Sequence, residues 1–167
     1  MRLLIAIAFA AFLCPAQAET PPVACDTYDV AFCFPKGRDT VVTQRWSDGY
    51  EVYEVTRSET PLMSIRTGPP VRSHGSRVSL KQYQQDGFDI DIGLIEGAPG
   101  DKVVDILVGY PDARSLHIAS VGAEGRKMLA DVMSNFRPCR RQWFAGIACE
   151  DTPLFTPADA ELIRNLP

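Results

Sequence analysis

Residues 41–56 read VVTQRWSDGYEVYEVT, and their pattern decides the fold. Two β-prone runs, 41–46 and 50–56, flank Ser47-Asp48-Gly49, and the Asp-Gly pair supplies the turn geometry of a tight hairpin. The segment therefore reads as two antiparallel strands. The same period-two alternation recurs on both sides of it. Upstream, residues 27–35 place Tyr28, Val30, Phe32 and Phe34 on one face of an expected strand, which Pro35-Lys36-Gly37 ends. Downstream, strands are expected at 62–67, 88–94, 102–110 and 116–121, with Phe88, Ile90 and Ile92 inward and Asp89 and Asp91 outward in the second of these. Gly68-Pro69-Pro70 interrupts the pattern and opens an exposed loop or a poorly ordered crossing over 68–77, and residues 96–101 (EGAPGD) form a turn cluster. Short turns in place of helical crossovers predict a meander sheet.

Two helices complete the reading. Residues 125–136 carry Met128, Leu129, Val132, Met133 and Phe136 at helical spacing, an apolar stripe suited to lying on the sheet. Residues 157–165 begin with Thr156 as N-cap, Pro157 at the first helical position and Asp159 at N3. The expected fold class is α+β: an antiparallel β-sheet covered by a C-terminal helix, in a single domain stapled by disulfides.

The chain has 167 residues, 46% hydrophobic and 23% charged, which excludes collagen, coiled coil and general disorder. After Met1-Arg2, residues 3–14 (LLIAIAFAAFLC) are uninterruptedly apolar, yet shorter than the about 20 residues a transmembrane helix needs. Pro15 and the small residues of Ala16-Gln17-Ala18 then predict cleavage before Glu19, so residues 1–18 read as a secretory signal. Leu13 disfavours the lipoprotein alternative at Cys14. The expected organisation is a signal at 1–18, an α+β domain at 19–138 and a disulfide-tethered extension with a short helix at 139–167. Losing Arg2 makes the formal charge of −4 one unit more negative, which argues against nucleic acid or an anionic membrane as general partners. No second apolar run of about 20 residues follows, so the mature chain has no expected transmembrane segment and belongs in the periplasm or outside the cell.

Of five cysteines, Cys14 leaves with the signal, and Cys25, Cys33, Cys139 and Cys149 remain as two expected disulfides. If residues 28–33 are extended, Cys25 and Cys33 lie on the order of 20 Å apart, whereas a disulfide needs roughly 4.4–6.8 Å between Cα atoms. This favours bridges from the N-terminal pair to Cys139 and Cys149, with the local pairs 25–33 and 139–149 as the alternative. No C-x-x-C of a dithiol catalyst occurs.

Catalytic and metal chemistry find little support. His74, in Ser73-His74-Gly75-Ser76, and His117 are the two histidines, too few for a histidine-based zinc site, and no G-x-S-x-G elbow exists. His117 is expected opposite Leu116 and Ile118, facing solvent or a covering segment. Asp86, Asp89, Asp91, Glu96, Asp101 and Asp105 form an acidic stretch offset by Lys102; Asp89 and Asp91 suit a calcium or acid–base pair, but strand alternation already explains them as a solvated face. Arg137, Arg140 and Arg141 surround Cys139, and Arg66, Arg72, Arg77 and Lys81 make a basic region around the 68–77 loop. Trp143 and Phe144 either cap the core or form a contact patch.

The early strand ending in Phe34-Pro35-Lys36-Gly37, the antiparallel run and the closing segment Leu129-Ala130-Asp131-Val132-Met133-Ser134-Asn135-Phe136-Arg137 resemble the PsbP-like α/β/α sandwich group over residues 28–138. The Gly-Pro-Pro loop stands near where that group has a helix, and residues 139–167 lie outside the likeness. The resemblance implies an accessory or binding protein that steadies or delivers a larger complex, with no catalytic residues to carry over. The expected function is thus non-enzymatic, with no cofactor, acting on another exported or membrane-associated protein through Arg72, His74, Arg77, Arg140, Arg141, Trp143 and Phe144. Inhibition of, or immunity to, a secreted hydrolase is the second expectation. A small hydrolase using Asp89, Asp91 or His74 is the third, and it requires those residues to converge.

Overall fold

The computed structural model describes residues 25–28, 31–70, 76–96, 102–142, 144 and 146–166. The expected signal at 1–18 lies outside these residues, as do Val30, Arg72, His74, Asp101 and Trp143, half of the 68–77 loop and most of the 96–101 turn.

The elements run β1 (Asp26–Thr27), β2 (Phe32–Phe34), β3 (Thr40–Ser47), β4 (Tyr50–Arg57), β5 (Thr60–Gly68), β6 (Arg77–Gln85), β7 (Phe88–Glu96), β8 (Lys102–Gly109), β9 (Ser115–Ser120), α1 (Gly122–Met133), β10 (Arg137–Gln142), β11 (Gly146–Cys149) and α2 (Pro157–Arg164). The fold is α+β and its strand pairs are antiparallel, in two sheets. Seven strands form the large sheet in the order β3-β4-β5-β9-β8-β7-β6, and β1-β2-β10-β11 form the small one.

The 41–56 hairpin forms as its sequence requires: Ser47 pairs with Tyr50 around Asp48 at φ 52° and Gly49 at φ 84°. Two positive φ values in a row are what a type I′ turn demands, and they match the strands' right-handed twist. β6 is a strand that the alternation did not announce. Its register slips between Ser79 and Lys81, so its apolar residues Val78 and Leu80 stay exposed while Lys81 and Tyr83 oppose buried Ile92 and Ile90.

One face of the large sheet is covered by α1. Ile65, Ile92, Val104, Ile106 and Ile118 from the strands meet Met128, Leu129, Val132 and Met133 from the helix in one core. The approach is close at Gly125, where a Cβ would sit 1.9 Å from the carbonyl oxygen of Leu62. The small sheet closes one side of this core with Phe32 and Phe34, stacked on Phe136 at 5.3 and 5.8 Å between ring centroids. Tyr110 Oη ties the two sheets together by donating to the carbonyl of Ala31 at 2.6 Å.

α2 packs against α1 and adds Ala160 and Ile163 to the same core, which Leu154 and Phe155 of the segment before it also join. Its N-terminus carries a full capping box between Thr156 and Asp159. Asp159 is fully buried and also accepts from Lys81 Nζ and Tyr83 Oη of β6, each at 2.6 Å. Burial alone would raise the Asp159 pKa, but these donors and the Thr156 hydroxyl and amide hold it below the usual carboxylate range.

The cysteines correct the sequence reading. Cys25 pairs with Cys33 and Cys139 with Cys149, so both bridges are local and neither links the chain's ends. The expected single strand over 27–35 does not form. Asp26 faces Phe34 and Thr27 faces Cys33 in antiparallel register, so the chain has doubled back between them and the Cα atoms of Cys25 and Cys33 are 5.6 Å apart. Cys139 and Cys149 stand directly opposite each other in the β10–β11 hairpin.

Candidate functional site

Strand alternation sends Arg77 of β6, Asp91 of β7, Asp105 of β8 and His117 of β9 to the face of the sheet opposite α1, where they form one network. Arg77 Nε donates to Asp105 Oδ2 at 2.6 Å and Arg77 Nη1 to Asp91 Oδ2 at 2.8 Å, while Nη2 reaches the carbonyls of Asp91 and Asp105. Gly93 makes room for this fork, since a Cβ there would lie 2.7 Å from Arg77 Cζ. His117 Nε2 is hydrogen-bonded to Asp105 Oδ1, and Ser79 Oγ and Gln82 Nε2 donate to Asp91.

Desolvation would raise the pKa of Asp105, but hydrogen bonds from His117 and Arg77 outweigh it and leave the carboxyl below its ordinary range. Asp91 is lowered in the same way, by Arg77, Ser79 and Gln82 against its burial. Arg77 is held above its ordinary value by the two carboxylates, again against its own burial. Carboxylates already committed to two or three donors are poor proton acceptors and poor cation ligands. The network cross-braces four strands.

Arg77 therefore does not lie on an exposed loop as a partner contact; its side chain is 6% exposed. Asp89 is separately engaged by Gln84 Nε2 at 3.0 Å. Its neighbour on that face, Asp91, is bound up in the network, so the two do not form a free acid–base pair. His117 occupies the face expected for it.

A cleft of about 480 Å³ opens between the sheet's turns and the small sheet. Phe88 and Tyr110 meet edge to face at its wall, 5.0 Å between centroids, and the Arg114 guanidinium lies 5.1 Å from the Tyr110 centroid. Arg140, paired with Glu150, and Cys139 line the opposite wall. Arg114 in turn pairs with Asp112 at 2.8 Å.

The β10–β11 hairpin projects beyond this cleft. The Cys139–Cys149 bridge closes its base, and Gly146 at φ 80° turns the chain into β11. Arg141 opposes Ile147 on one face and Arg140 opposes Ala148 on the other. At the tip Phe144 is 96% exposed, with Ile147 at 45%. Of the residues expected to contact a partner, the structure thus gathers Arg140, Arg141 and Phe144 on one hairpin. Arg137, at its base, has a buried Nε with no hydrogen-bond partner among the described residues.

Among the described residues no helix is long and apolar enough to cross a membrane. No protein-family model matches the chain, and comparison with curated proteins and with solved structures finds no match.

Proposed function

We propose that this chain is an exported, non-enzymatic binding protein of the periplasm or cell exterior that docks another exported or membrane-associated protein through the tip of the β10–β11 hairpin. The observation that carries the reading is Phe144, a large aromatic left 96% exposed at the end of a bridged hairpin whose flanks carry Arg140, Arg141 and Ile147. An aromatic and an arginine presented together on a braced support are the residue types that dominate interface energetics, and holding them in place beforehand lowers the ordering cost of binding. The complementary partner surface is an apolar pocket with an acidic rim. The apolar run at 3–14 with its Ala16-Gln17-Ala18 site supports export, and the resemblance to the PsbP-like group supports an accessory role.

The same projecting hairpin also suits insertion into the cleft of a secreted hydrolase, as an inhibitor or immunity protein would do. The two readings separate by whether binding abolishes an enzyme's activity. The test is mild cross-linking and capture from a cell-envelope extract with the wild type and with Phe144→Ser. The variant should keep wild-type stability within about 0.5 kcal/mol, as expected of an exposed site, and lose the captured partner. Recovery of the wild type only as a free monomer, or equal capture by both proteins, overturns the reading.

A further inference from the structure

The two disulfides are not independent staples. β2, β10 and β11 lie side by side, and Cys33 faces Arg137 in register, two residues before Cys139, which faces Cys149. Directly opposed residues share a sheet face, as do positions i and i+2 on one strand. Cys33, Arg137, Cys139 and Cys149 therefore occupy the same face of the small sheet, and the Sγ atoms of the three cysteines lie within 4.8 Å of one another. One bridge thus touches the other at Cys33. Cys33 and Cys139 are buried, while Cys149 is partly exposed.

Thiol–disulfide exchange needs a thiolate within reach of a disulfide sulfur. A neighbouring cation favours the thiolate form, and Arg137, which pairs with Cys33 in the β2–β10 register, has an Nε that is buried without a hydrogen-bond partner among the described residues. The surroundings also fit released thiols: Cys25 Sγ lies 3.9 Å from the carbonyl oxygen of Asn135, and Cys139 Sγ lies 3.8 Å from that of Arg137.

We propose that Cys25, Cys33, Cys139 and Cys149 act as one thiol–disulfide exchange site that accepts electrons from a dithiol reductant and relays the opening from the C-terminal bridge to the N-terminal one. The reductant enters at the partly exposed Cys139–Cys149 bond. It leaves as its own disulfide, having passed two electrons and two protons to the cysteine pair. The Cys139 thiol then loses its proton and attacks Cys33 Sγ. A Cys33–Cys139 bond forms, the Cys25–Cys33 bond breaks, and its electron pair goes to Cys25, which takes up a proton. The second step conserves redox state and joins the N-terminal strand pair to the C-terminal hairpin.

The folded wild-type protein is treated at pH 8 with dithiothreitol at one equivalent, quenched by alkylation and digested without reduction. The expected product is a peptide joining Cys33 to Cys139, absent from untreated protein, with Cys25 and Cys149 alkylated. Alkylation confined to Cys139 and Cys149 together, or to Cys25 and Cys33 together, overturns the relay. Cys149→Ser provides an independent arm, since its leftover Cys139 thiol should partition between the free form and the Cys33–Cys139 bond. Finding Cys139 wholly free and Cys25–Cys33 intact in that variant also overturns the proposal. Should the variant fail to fold, the wild-type arm decides.

Discussion

Replacing Arg77 by leucine removes the guanidinium that bonds both Asp91 and Asp105, and its cost can be worked from the network itself. Asp105 is 1% exposed and among the described residues keeps His117 alone as a side-chain partner in that variant, while Asp91 keeps Ser79 and Gln82. The carbonyls of both aspartates lose a donor as well. Removing one member of a buried ion pair typically costs about 3–5 kcal/mol, because the remaining charge stays buried without compensation. For a chain of this size that corresponds to a fall in Tm of about 6–20 °C.

The pH dependence gives the sharper test. In the wild type both carboxyls have lowered pKa values, so their contribution is fully present above the unfolded value near 4 and is lost as pH falls through the folded values below it. In Arg77→Leu the burial that raises the Asp105 pKa is opposed by His117 alone, the Arg77 share of the counterweight being gone. That carboxyl then takes up a proton at a higher pH, which relieves the buried charge. The gap between variant and wild type should therefore be widest at pH 7 and narrow toward pH 4. Urea unfolding followed by circular dichroism at both pH values measures it. A gap under about 1 kcal/mol at pH 7, or one of equal size at both pH values, would refute the reasoning.

Two further substitutions probe how the helices are seated. Gly125→Ala should destabilise by about 3 kcal/mol or more, since its Cβ would meet the Leu62 carbonyl at 1.9 Å, and backbone on both sides must shift; thermal unfolding close to that of wild type would show that α1 has room to move off β5. Asp159→Asn should cost about 2–4 kcal/mol at pH 7 by uncoupling Lys81, Tyr83 and the α2 cap from one carboxylate. That loss should shrink as pH falls from about 4, the unfolded value, through the lower folded value of Asp159, and a pH-independent difference in urea unfolding would count against it.

The period-two pattern, with Asp48-Gly49 as punctuation, was enough to read most of the large sheet, because turn chemistry and face alternation are local properties. β6 escaped that reading because the slip between Ser79 and Lys81 breaks the alternation and because the residues it turns inward, Lys81 and Tyr83, are polar or amphipathic. The cysteine pairing is hidden in the sequence for a related reason: residues 27–35 alternate as a strand does, and no glycine or proline marks the reversal between Thr27 and Cys33. For the charged network, sequence supplied the outward direction of Asp91 but not its partner, since Arg77 reaches across β7 to β8. Gly93, within the otherwise strand-like FDIDIGLIE, was the available signal, as a glycine inside a strand often marks close approach by another group. The hairpin residues Arg140, Arg141 and Phe144 were legible as a charged and aromatic cluster, though their presentation at a projecting tip depends on the β10–β11 register.

The order of the large sheet also determines how its assembly must proceed. β3-β4-β5 and β6-β7-β8-β9 are each ribbons of sequence neighbours, able to form by local zippering. They are sewn together along a single seam, where Met63 to Gly68 of β5 meet Ser115 to Ser120 of β9. Closing that seam means bringing together segments separated by the whole second ribbon, which carries the entropy of a long loop and contributes most to slow folding in β-rich chains. Residues along the seam, Ile65 and Ile118 foremost, thus carry weight in the rate of folding beyond their share of the core.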